Sequence, residues 1–279
     1  TLSSSSAASD VYKRQVFLIG GILVNCVEKT PSPRQQGLHL QETGLQGTPY
    51  FSPQQGEMWR YRVEKEVPLG TTLSPVDASR YIESSDTAQL VTFVQTRHCK
   101  GERKFSDFPH ILTAIAISED GKQLGEELYQ IHPDEILSWG WVPAPLRAEE
   151  AQLLNEGVPL ARAKMRPGQS WQAKGRGSEN SFLFKVIEQG ELTVPAGTFQ
   201  ATRIQITSER TSRQPVTGEE HTTYLKRSLW LAQDVGILRE ETIYYDDRKV
   251  RVKQRSELIE WVLPSAGTSS EPVPVRLNN

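Results

Sequence analysis

The sequence predicts a mainly β protein built on an antiparallel sheet with one or two short helices. Between residues 50 and 263, apolar and polar side chains alternate every second residue in several segments, a pattern typical of half-buried strands. Short turns rather than long helical segments separate these strands, which favours an antiparallel sheet over βαβ units. We therefore expect a single β-rich domain over residues 50–263.

The first half of this domain contains four predicted strands. In the first, Trp59, Tyr61 and Val63 alternate with charged residues. Asp120-Gly121 supplies the positive φ angles that a tight hairpin turn requires, so the two strands around it form a hairpin. The strands after the first are Leu90–Thr96, His110–Ser118 and Lys122–Ile131.

The best helical segment is Pro145–Glu156. A proline suits the first turn of a helix, acidic residues favour its N-terminal end, and Gly157 fits the position just after its last residue. The segment is short, and a loop with one helical turn is the alternative.

Strands resume after Pro167, and Asp246-Asp247 marks the turn between the last two of them. These strands are Ser181–Glu188, Phe199–Ser208, Thr222–Leu231, Gly236–Tyr245 and Val250–Trp261. The apolar phase of the pattern predicts a core on one face of the sheet, and Lys253 is expected on the solvent face. The predicted core residues are Trp59, Phe93, Ile115, Phe184, Phe199, Ile204, Trp230 and Ile243.

The segments outside the domain have other compositions. Residues 1–15 resemble an in-frame translation of a sequencing-library adapter and are not expected to contribute to the fold. Residues 16–25 form a short apolar run, with the length of a signal-peptide h-region rather than of a bilayer-spanning helix. Residues 26–49, rich in Pro, Gln, Gly and Thr, are predicted to be a flexible tether, and residues 264–279 a disordered tail.

The apolar run ends at Cys26, and this arrangement resembles a bacterial lipoprotein signal with Leu23-Val24-Asn25-Cys26 as the lipobox. The resemblance implies that Cys26 is the lipidated first mature residue and that the membrane is a partner through it. The protein is then exported and anchored in the cell envelope, on the periplasmic or outer-membrane face. A Cys26–Cys99 disulfide is the alternative in an oxidising compartment.

Three short motifs within the domain occur in an order that carries a second resemblance. They are Tyr50-Phe51-x-Pro53-x-x-Gly56-x-x-Trp59-x-Tyr61, Thr193-Val-Pro-Ala-Gly-Thr-Phe199 and Trp230-Leu-Ala-Gln-Asp-Val-Gly-Ile-Leu-Arg-Glu-Glu241. Together they resemble a family of secreted bacterial β-rich lipoproteins of unassigned function, similar to lipoprotein-localisation-type folds. This resemblance implies a curved antiparallel sheet, half-barrel or sandwich-like, around an apolar groove. It supplies no catalytic residues.

The Gly-x-x-Trp part of the first motif occurs twice, at Gly56–Trp59 and at Gly168–Trp171. Each copy opens a run of predicted strands. This repeat marks either a duplicated half-sheet or a coincidence. Coincidence is favoured because the repeat consists of only two glycines and two tryptophans.

No residue pattern predicts a catalytic, metal or cofactor site. His98 and Cys99 are adjacent on a strand and therefore point to opposite faces, so they cannot act as a base and its nucleophile. His132-Pro-Asp134-Glu135 has ligand-type side chains but no second cluster with ligand spacing, and it is predicted to be a turn.

One basic stripe alternates cleanly along the last strand. It could meet anionic headgroups or polyanions, but pairing across the sheet with carboxylates such as Glu240 and Glu241 is favoured. The stripe consists of Lys249, Arg251, Lys253 and Arg255.

The composition sets limits on function. The 32 basic and 34 acidic residues give a net charge of −2, which provides no general attraction for nucleic acid. We expect a non-enzymatic envelope lipoprotein that binds a lipid or other apolar ligand or serves as an assembly module. The alternatives are a secreted hydrolase whose site forms only in three dimensions and a purely structural, partner-binding lipoprotein.

Overall fold

The computed structural model describes residues 50–106, 108–146, 150–174, 181–213, 220–247 and 249–264. The predicted adapter, h-region, Cys26 and tether lie outside these residues, as does the predicted tail after Pro264. The described part of the chain contains one short helix, α1, and 13 strands. In chain order they are β1 Met58–Pro68, α1 Pro75–Ala78, β2 Tyr81–Ser84, β3 Ala88–Lys104, β4 Ile111–Glu119, β5 Lys122–Ile131, β6 Glu135–Pro143, β7 Gln152–Arg162, β8 Ser170–Lys174, β9 Ser181–Val194, β10 Gly197–Arg213, β11 Glu220–Ala232, β12 Gly236–Asp246 and β13 Lys249–Val262.

All the strands belong to one antiparallel sheet, which confirms the predicted fold class. The strand order is β7-β6-β5-β4-β3-β1-β13-β12-β11-β10-β9-β8, and β2 pairs with β3 beside the end of β4. The first strand, β1, lies in the centre of the sheet. The following strands lead outward to one edge at β7, and the chain then crosses to the opposite edge at β8. It then returns strand by strand to β13, which pairs with β1.

The sheet is curved so strongly that its two edge strands meet. No ladder joins β7 to β8, but the Trp171 indole on β8 donates a hydrogen bond to the Pro159 carbonyl on β7 over 2.8 Å. The Arg162 guanidinium also lies over the Trp171 ring at 5.2 Å. The concave face is therefore an enclosed interior, and the convex face forms the outside.

Tight turns connect the strands as the sequence predicts. Asp120 and Gly121 have φ angles of 48° and 81° in the hairpin between β4 and β5. Asp247, between β12 and β13, has a φ of 46°. These left-handed conformations suit Gly and Asp, and they let each strand reverse within two residues.

The helix predicted over Pro145–Glu156 is wrong for the second half of this segment, which is a strand, while residues 147–149 lie outside the described residues. Residues from Gln152 onward belong to β7, where Leu153 pairs with Gly140 and Val158 with Ser138 of β6. The pairing with β6 and the burial of Leu154 and Val158 outweigh the local helix preference of this segment. The short helix α1 lies elsewhere, with Ser74 capping its first turn.

The interior holds the main hydrophobic core, and five of the eight predicted core residues lie in it as expected. Trp59, Phe93, Ile115, Phe184 and Ile204 are buried. The prediction of a single face is wrong for Trp230 and Ile243, because the strand register places Trp230 opposite Arg239 and Ile243 opposite Lys253 on the outer face. Trp230 is buried there, whereas Phe199 and Ile243 are half-buried. Trp230 nevertheless belongs to the main core cluster, and Phe199 packs against it.

A second cluster of apolar side chains covers the outer face of β4, β5 and β6. Leu112, Leu128 and Trp139 are its largest buried members. Phe108 packs edge-on against Trp139, with ring centroids 4.9 Å apart. Both faces of this part of the sheet are therefore apolar, which explains why the strands here lack a clean two-residue alternation.

The two Gly-x-x-Trp segments form the same turn in the same setting. Gly56 and Gly168 have φ angles of 91° and 89°. The Gly56 amide donates a 2.9 Å hydrogen bond to the Cys99 carbonyl on β3, a strand that pairs with β1. The Gly168 amide donates a 2.9 Å hydrogen bond to the Val186 carbonyl on β9, the strand that pairs with β8. In each turn the residue after the glycine also accepts a side-chain hydrogen bond of 2.8 Å from the amide three positions earlier. The two segments therefore share one local turn, at the start of the central strand β1 and of the edge strand β8.

Candidate functional site

Charged side chains meet inside the sheet, next to the hydrophobic core. Arg97 on β3 and Glu240 on β12 have relative exposures of only 9% and 4%. Arg97 Nη2 lies 3.6 Å from Glu240 Oε2, and Arg227 Nε on β11 lies 2.8 Å from Glu240 Oε1. Arg97 Nη1 lies 3.9 Å from Glu127 Oε2 on β5. We call Arg97, Glu127, Arg227 and Glu240 the interior ion cluster.

Tyrosine side chains complete the surroundings of this cluster. The Tyr129 hydroxyl donates to Glu127 Oε2 over 2.6 Å. The Arg97 guanidinium lies over the Tyr61 ring at 5.3 Å, and the Tyr61 hydroxyl donates to the Ile237 carbonyl over 2.9 Å. Burial, reinforced by nearby carboxylates, raises the pKa of both tyrosines, so both hydroxyls stay protonated.

The interior ion cluster holds two positive and two negative side chains. Burial disfavours ionisation of Glu240, but Arg227 and Arg97 outweigh burial and hold its pKa below the ordinary 4.5. Burial acts to lower the pKa of Arg97, but Glu127, Tyr61 and Glu240 outweigh it and raise that pKa. Glu240 is therefore a poor general acid, since acid catalysis near neutral pH needs a carboxyl with a raised pKa.

An apolar cavity adjoins the interior ion cluster at the Tyr50 end of the sheet, where β1 starts. Its volume is about 20 Å³, which is room for about one water molecule. This cavity is much smaller than the apolar groove that the family resemblance implies. Its walls are formed by Phe51, Trp59, Tyr61, Arg97, Ile115, Glu127, Tyr129, Ile136, Leu160, Ala161, Leu231 and Ile237.

Phe51 forms one wall of this cavity and connects it to the start of the described chain. Its ring packs against Trp59, with centroids 5.3 Å apart, and edge-on against Tyr129 at 6.1 Å. The ring also lies directly on Gly236, where a Cβ atom would be 2.5 Å from Phe51 Cδ2. The neighbouring Tyr50 hydroxyl is 3.0 Å from the Thr202 hydroxyl and fixes the segment on β10.

A buried ion-pair network holds α1 over the interior at the opposite, Pro68 end of the sheet. Lys65 Nζ on β1 lies 2.7 Å from Asp77 Oδ2, and Arg80 Nη1 lies 2.8 Å from Asp77 Oδ1. Arg80 also reaches Glu119, and its guanidinium covers the Phe93 ring at 3.8 Å. The interior is therefore covered at both ends by the chain itself.

The histidine and cysteine residues considered as chemical candidates do not form a site. Cys99 is a buried thiol whose pKa is raised by burial, while His98 lies on the other face with its Nδ1 3.0 Å from Lys100 Nζ. The prediction of opposite faces is confirmed. His132 and Glu135 close a turn through a 2.9 Å backbone hydrogen bond, as predicted. Within the described ranges no group of His, Cys, Asp and Glu side chains has the geometry of a metal site.

The basic stripe of β13 is mostly ion-paired, as favoured, and of the two carboxylates expected as partners Glu241 lies opposite Arg255. Lys253 pairs with Glu66 over 2.8 Å, Arg251 with Asp246 over 3.0 Å, and Arg255 with Glu257 over 2.7 Å. Glu240 points into the interior and cannot form ion pairs with the basic stripe, because it lies on the other face of β12.

The sequence did not predict that Arg97, Glu127 and Glu240 meet in the interior, and Glu240 was expected to pair with the basic stripe instead. The alternation of residues along the strands did indicate that two of them are buried. Arg97 lies on the same face of β3 as Phe93 and Cys99, and Glu240 lies on the same face of β12 as Leu238. A charged residue on an apolar phase indicates a buried ion that needs a partner. The partner could not be named, because β3 and β12 are separated by two other strands in the sheet.

No protein-family model matches the chain, and no curated protein is significantly similar to it. Two solved structures are similar to it at 14% sequence identity, each over 77% of this chain. One is a putative lipoprotein from Parabacteroides distasonis, covered over 99% of its length with a TM-score of 0.40. The other is a putative exported protein with a YmcC-like fold from Bacteroides fragilis, covered over 100% with a TM-score of 0.41.

Among the residues that the structure describes, no helix has the length and apolar character needed to cross a bilayer.

Proposed function

We propose that this protein is an exported, lipid-anchored protein of the cell envelope that acts without catalysis, as a binding module for a protein partner. Export and anchoring are inferred from the apolar run that ends at Cys26. The observation that supports the binding role is the interior ion cluster: its carboxylates are neutralised by arginines, and the cavity beside it has room for about one water molecule. The surface is then the part of the molecule that can act on other molecules.

Membrane anchoring is tested at Cys26. The chain is expressed behind an intact signal sequence in cells fed with labelled palmitate, and the Cys26→Ala variant is compared with the original. We expect label and membrane association in the original only, since diacylation gives stable anchoring. Cys99→Ala is the matched control and should keep both. Equal labelling with and without Cys26 contradicts the proposal.

The absence of catalysis is tested at the interior ion cluster. Purified protein is assayed with chromogenic ester, phosphoester and glycoside substrates beside the Glu127→Gln and Glu240→Gln variants. We expect no turnover that depends on either carboxylate. A rate above background that both substitutions abolish, in variants that circular dichroism shows to be folded, would establish the hydrolase alternative instead.

Binding of an apolar ligand in the interior is the second candidate function, and the position of Phe51 favours it. This ring closes the apolar cavity, and its displacement would enlarge the space between Trp59, Tyr129 and Gly236. The test is the fluorescence of N-phenyl-1-naphthylamine, which rises in an apolar site. Saturable binding by the original protein, strengthened in Phe51→Ala but not in Leu69→Ala at the other end of the sheet, would support this candidate.

A further inference from the structure

One strand of the sheet has an edge that no other strand covers. β2 pairs with β3 through Tyr81–Ser84, and within the described ranges no strand pairs with its other side. The Ser85 amide donates a 2.8 Å hydrogen bond to the Ala88 carbonyl. This bond determines which residues of β2 direct their backbone groups toward β3 and which direct them away, because the two kinds alternate along an antiparallel pair. The amides and carbonyls of Ile82 and Ser84 therefore point away from β3.

This edge lacks the features that protect the other free edges of the sheet. β7 and β8 face each other and are joined by the Trp171–Pro159 hydrogen bond, and β7 also carries a proline. β2 contains no proline, lysine or bulge, the devices by which edge strands usually avoid new partners. It is short, but it is held rigidly because Arg80 ties its start to Glu119 and Asp120.

Large apolar side chains are exposed at the Pro68 end of the sheet, where this open edge lies. Tyr81, Leu69 and Val76 have relative exposures of 68%, 53% and 45%. They belong to β2, to the turn after β1 and to α1, all of which lie at the same end of the sheet. Tyr81 is the one that belongs to β2, and an exposed aromatic side chain beside unpaired backbone groups is a feature of a strand-addition site.

The charges beside the edge indicate the character of the added strand. Glu83 on β2, which accepts a 3.1 Å hydrogen bond from the Tyr81 hydroxyl, and Asp86 in the following turn are both exposed. Arg80, just before β2, is bound to three carboxylates. Two copies of β2 paired antiparallel would bring their Glu83 carboxylates close together and repel. Charge therefore favours a basic partner over a second copy of this chain.

We propose that β2 is a docking edge for a partner protein, which adds an extended segment of alternating basic and apolar residues as an antiparallel strand. The segment pairs with the backbone of Ile82 and Ser84 while its basic side chains meet Glu83. This inference rests on the proposed function, since it names the surface and the partner chemistry of the binding module. The described chain starts at Tyr50, at the opposite end, so an anchor attached there leaves the β2 edge accessible.

The test uses the full chain carrying Cys26→Ala and the peptide acetyl-Lys-Val-Lys-Val-Lys-Val-amide as probe. Hydrogen exchange and isothermal titration are measured with rising peptide concentration. We expect saturable binding and slower exchange of the Ile82 and Ser84 amides. A peptide with a central proline in place of valine should bind at least about tenfold more weakly, since proline cannot donate to a ladder.

Substitutions at Ser84 and Glu83 distinguish strand addition from nonspecific peptide binding. Ser84→Pro removes an outward amide that the fold does not use and should weaken peptide binding about tenfold, while Ser84→Ala should leave it unchanged. Glu83→Lys should also weaken binding, and the loss should shrink as salt is added. No saturable binding, protection of other amides, or equal binding by Ser84→Pro overturns the proposal. A dimer that protects Ile82 and Ser84 without peptide overturns it in favour of self-pairing. Palmitate labelling at Cys26 tests the proposed function separately, because the peptide experiment does not depend on the anchor.

Discussion

The Arg97 guanidinium on β3 lies 3.6 Å from the Glu240 carboxylate on β12, across the interior of the curved sheet. The two strands belong to different halves of the chain and are separated by β1 and β13. Arg227 contacts the same carboxylate from β11. Glu240 is therefore one buried anion that connects two cations, and its removal takes the carboxylate nearest to each of them.

We predict that Glu240→Gln lowers the free energy of unfolding by about 3–5 kcal/mol, the usual cost of breaking a buried ion pair from one side. Urea unfolding followed by tryptophan fluorescence measures the change. Glu241→Gln is the matched control, because the next residue lies on the outer face opposite Arg255. It should cost less than about 1 kcal/mol. Equal losses in the two variants would contradict the buried position of Glu240.

A second prediction concerns acid and the Asp77 carboxylate under α1. Burial favours its neutral form, but Lys65, Ser74 and Arg80 outweigh burial and hold its pKa below the ordinary 3.8. The folded-state pKa is thus lower than the unfolded one, so this group stabilises the fold above about pH 4 and that contribution is lost as pH falls through the folded pKa.

The Asp77→Asn variant should lose the part of the pH dependence of the unfolding free energy that comes from this carboxylate. We expect the difference in unfolding free energy between neutral pH and about pH 3 to be smaller in the variant than in the original protein. Asp86→Asn, in the exposed turn at the same end of the sheet, should leave that difference unchanged. If Asp86→Asn and Asp77→Asn change the pH dependence equally, the ion pair with Lys65 does not contribute to it.

The sequence predicted much of the sheet, but not its interior site. β9 to β13 and the Asp120-Gly121 hairpin were predictable because one face of each strand is apolar and local turn residues fix the reversals. β2, β6, β7 and β8 were missed. Apolar clusters cover both faces of β6, helix-favouring residues occupy β7, and β2 and β8 are only four and five residues long. The interior ion cluster depends on the strand order, which no local pattern encodes.

The outer face has its own buried aromatic residue, Trp230. Arg203 and Arg239 cover its ring with their guanidiniums at 4.7 and 5.5 Å. We predict that Trp230→Ala lowers the unfolding free energy by about 3–5 kcal/mol. Lys253→Ala removes an exposed ion pair with Glu66 and should cost under about 1 kcal/mol. Thermal melts of both variants give the comparison, and similar midpoints would show that Trp230 is not packed.

The contact between Phe51 and Gly236 can be tested by a double-mutant cycle. An alanine at position 236 would place its Cβ 2.5 Å from Phe51 Cδ2, at a φ of +93° that disfavours side chains. Gly236→Ala should therefore cost at least about 2 kcal/mol of unfolding free energy, part from the backbone and part from the clash. Removal of the ring by Phe51→Ala relieves only the clash.

We expect the double variant to be less destabilised than the sum of the single changes, by about 0.5–3 kcal/mol in urea unfolding. Gly70→Ala provides the control, since Gly70 has a φ of +81° but no atom within 4 Å of the point that an alanine Cβ would occupy. Its cost should be purely conformational and should add to that of Phe51→Ala without coupling. If Gly236→Ala and Gly70→Ala cost the same and neither couples to Phe51, then the ring does not rest on Gly236. Phe51 would in that case not be the group that closes the interior cavity.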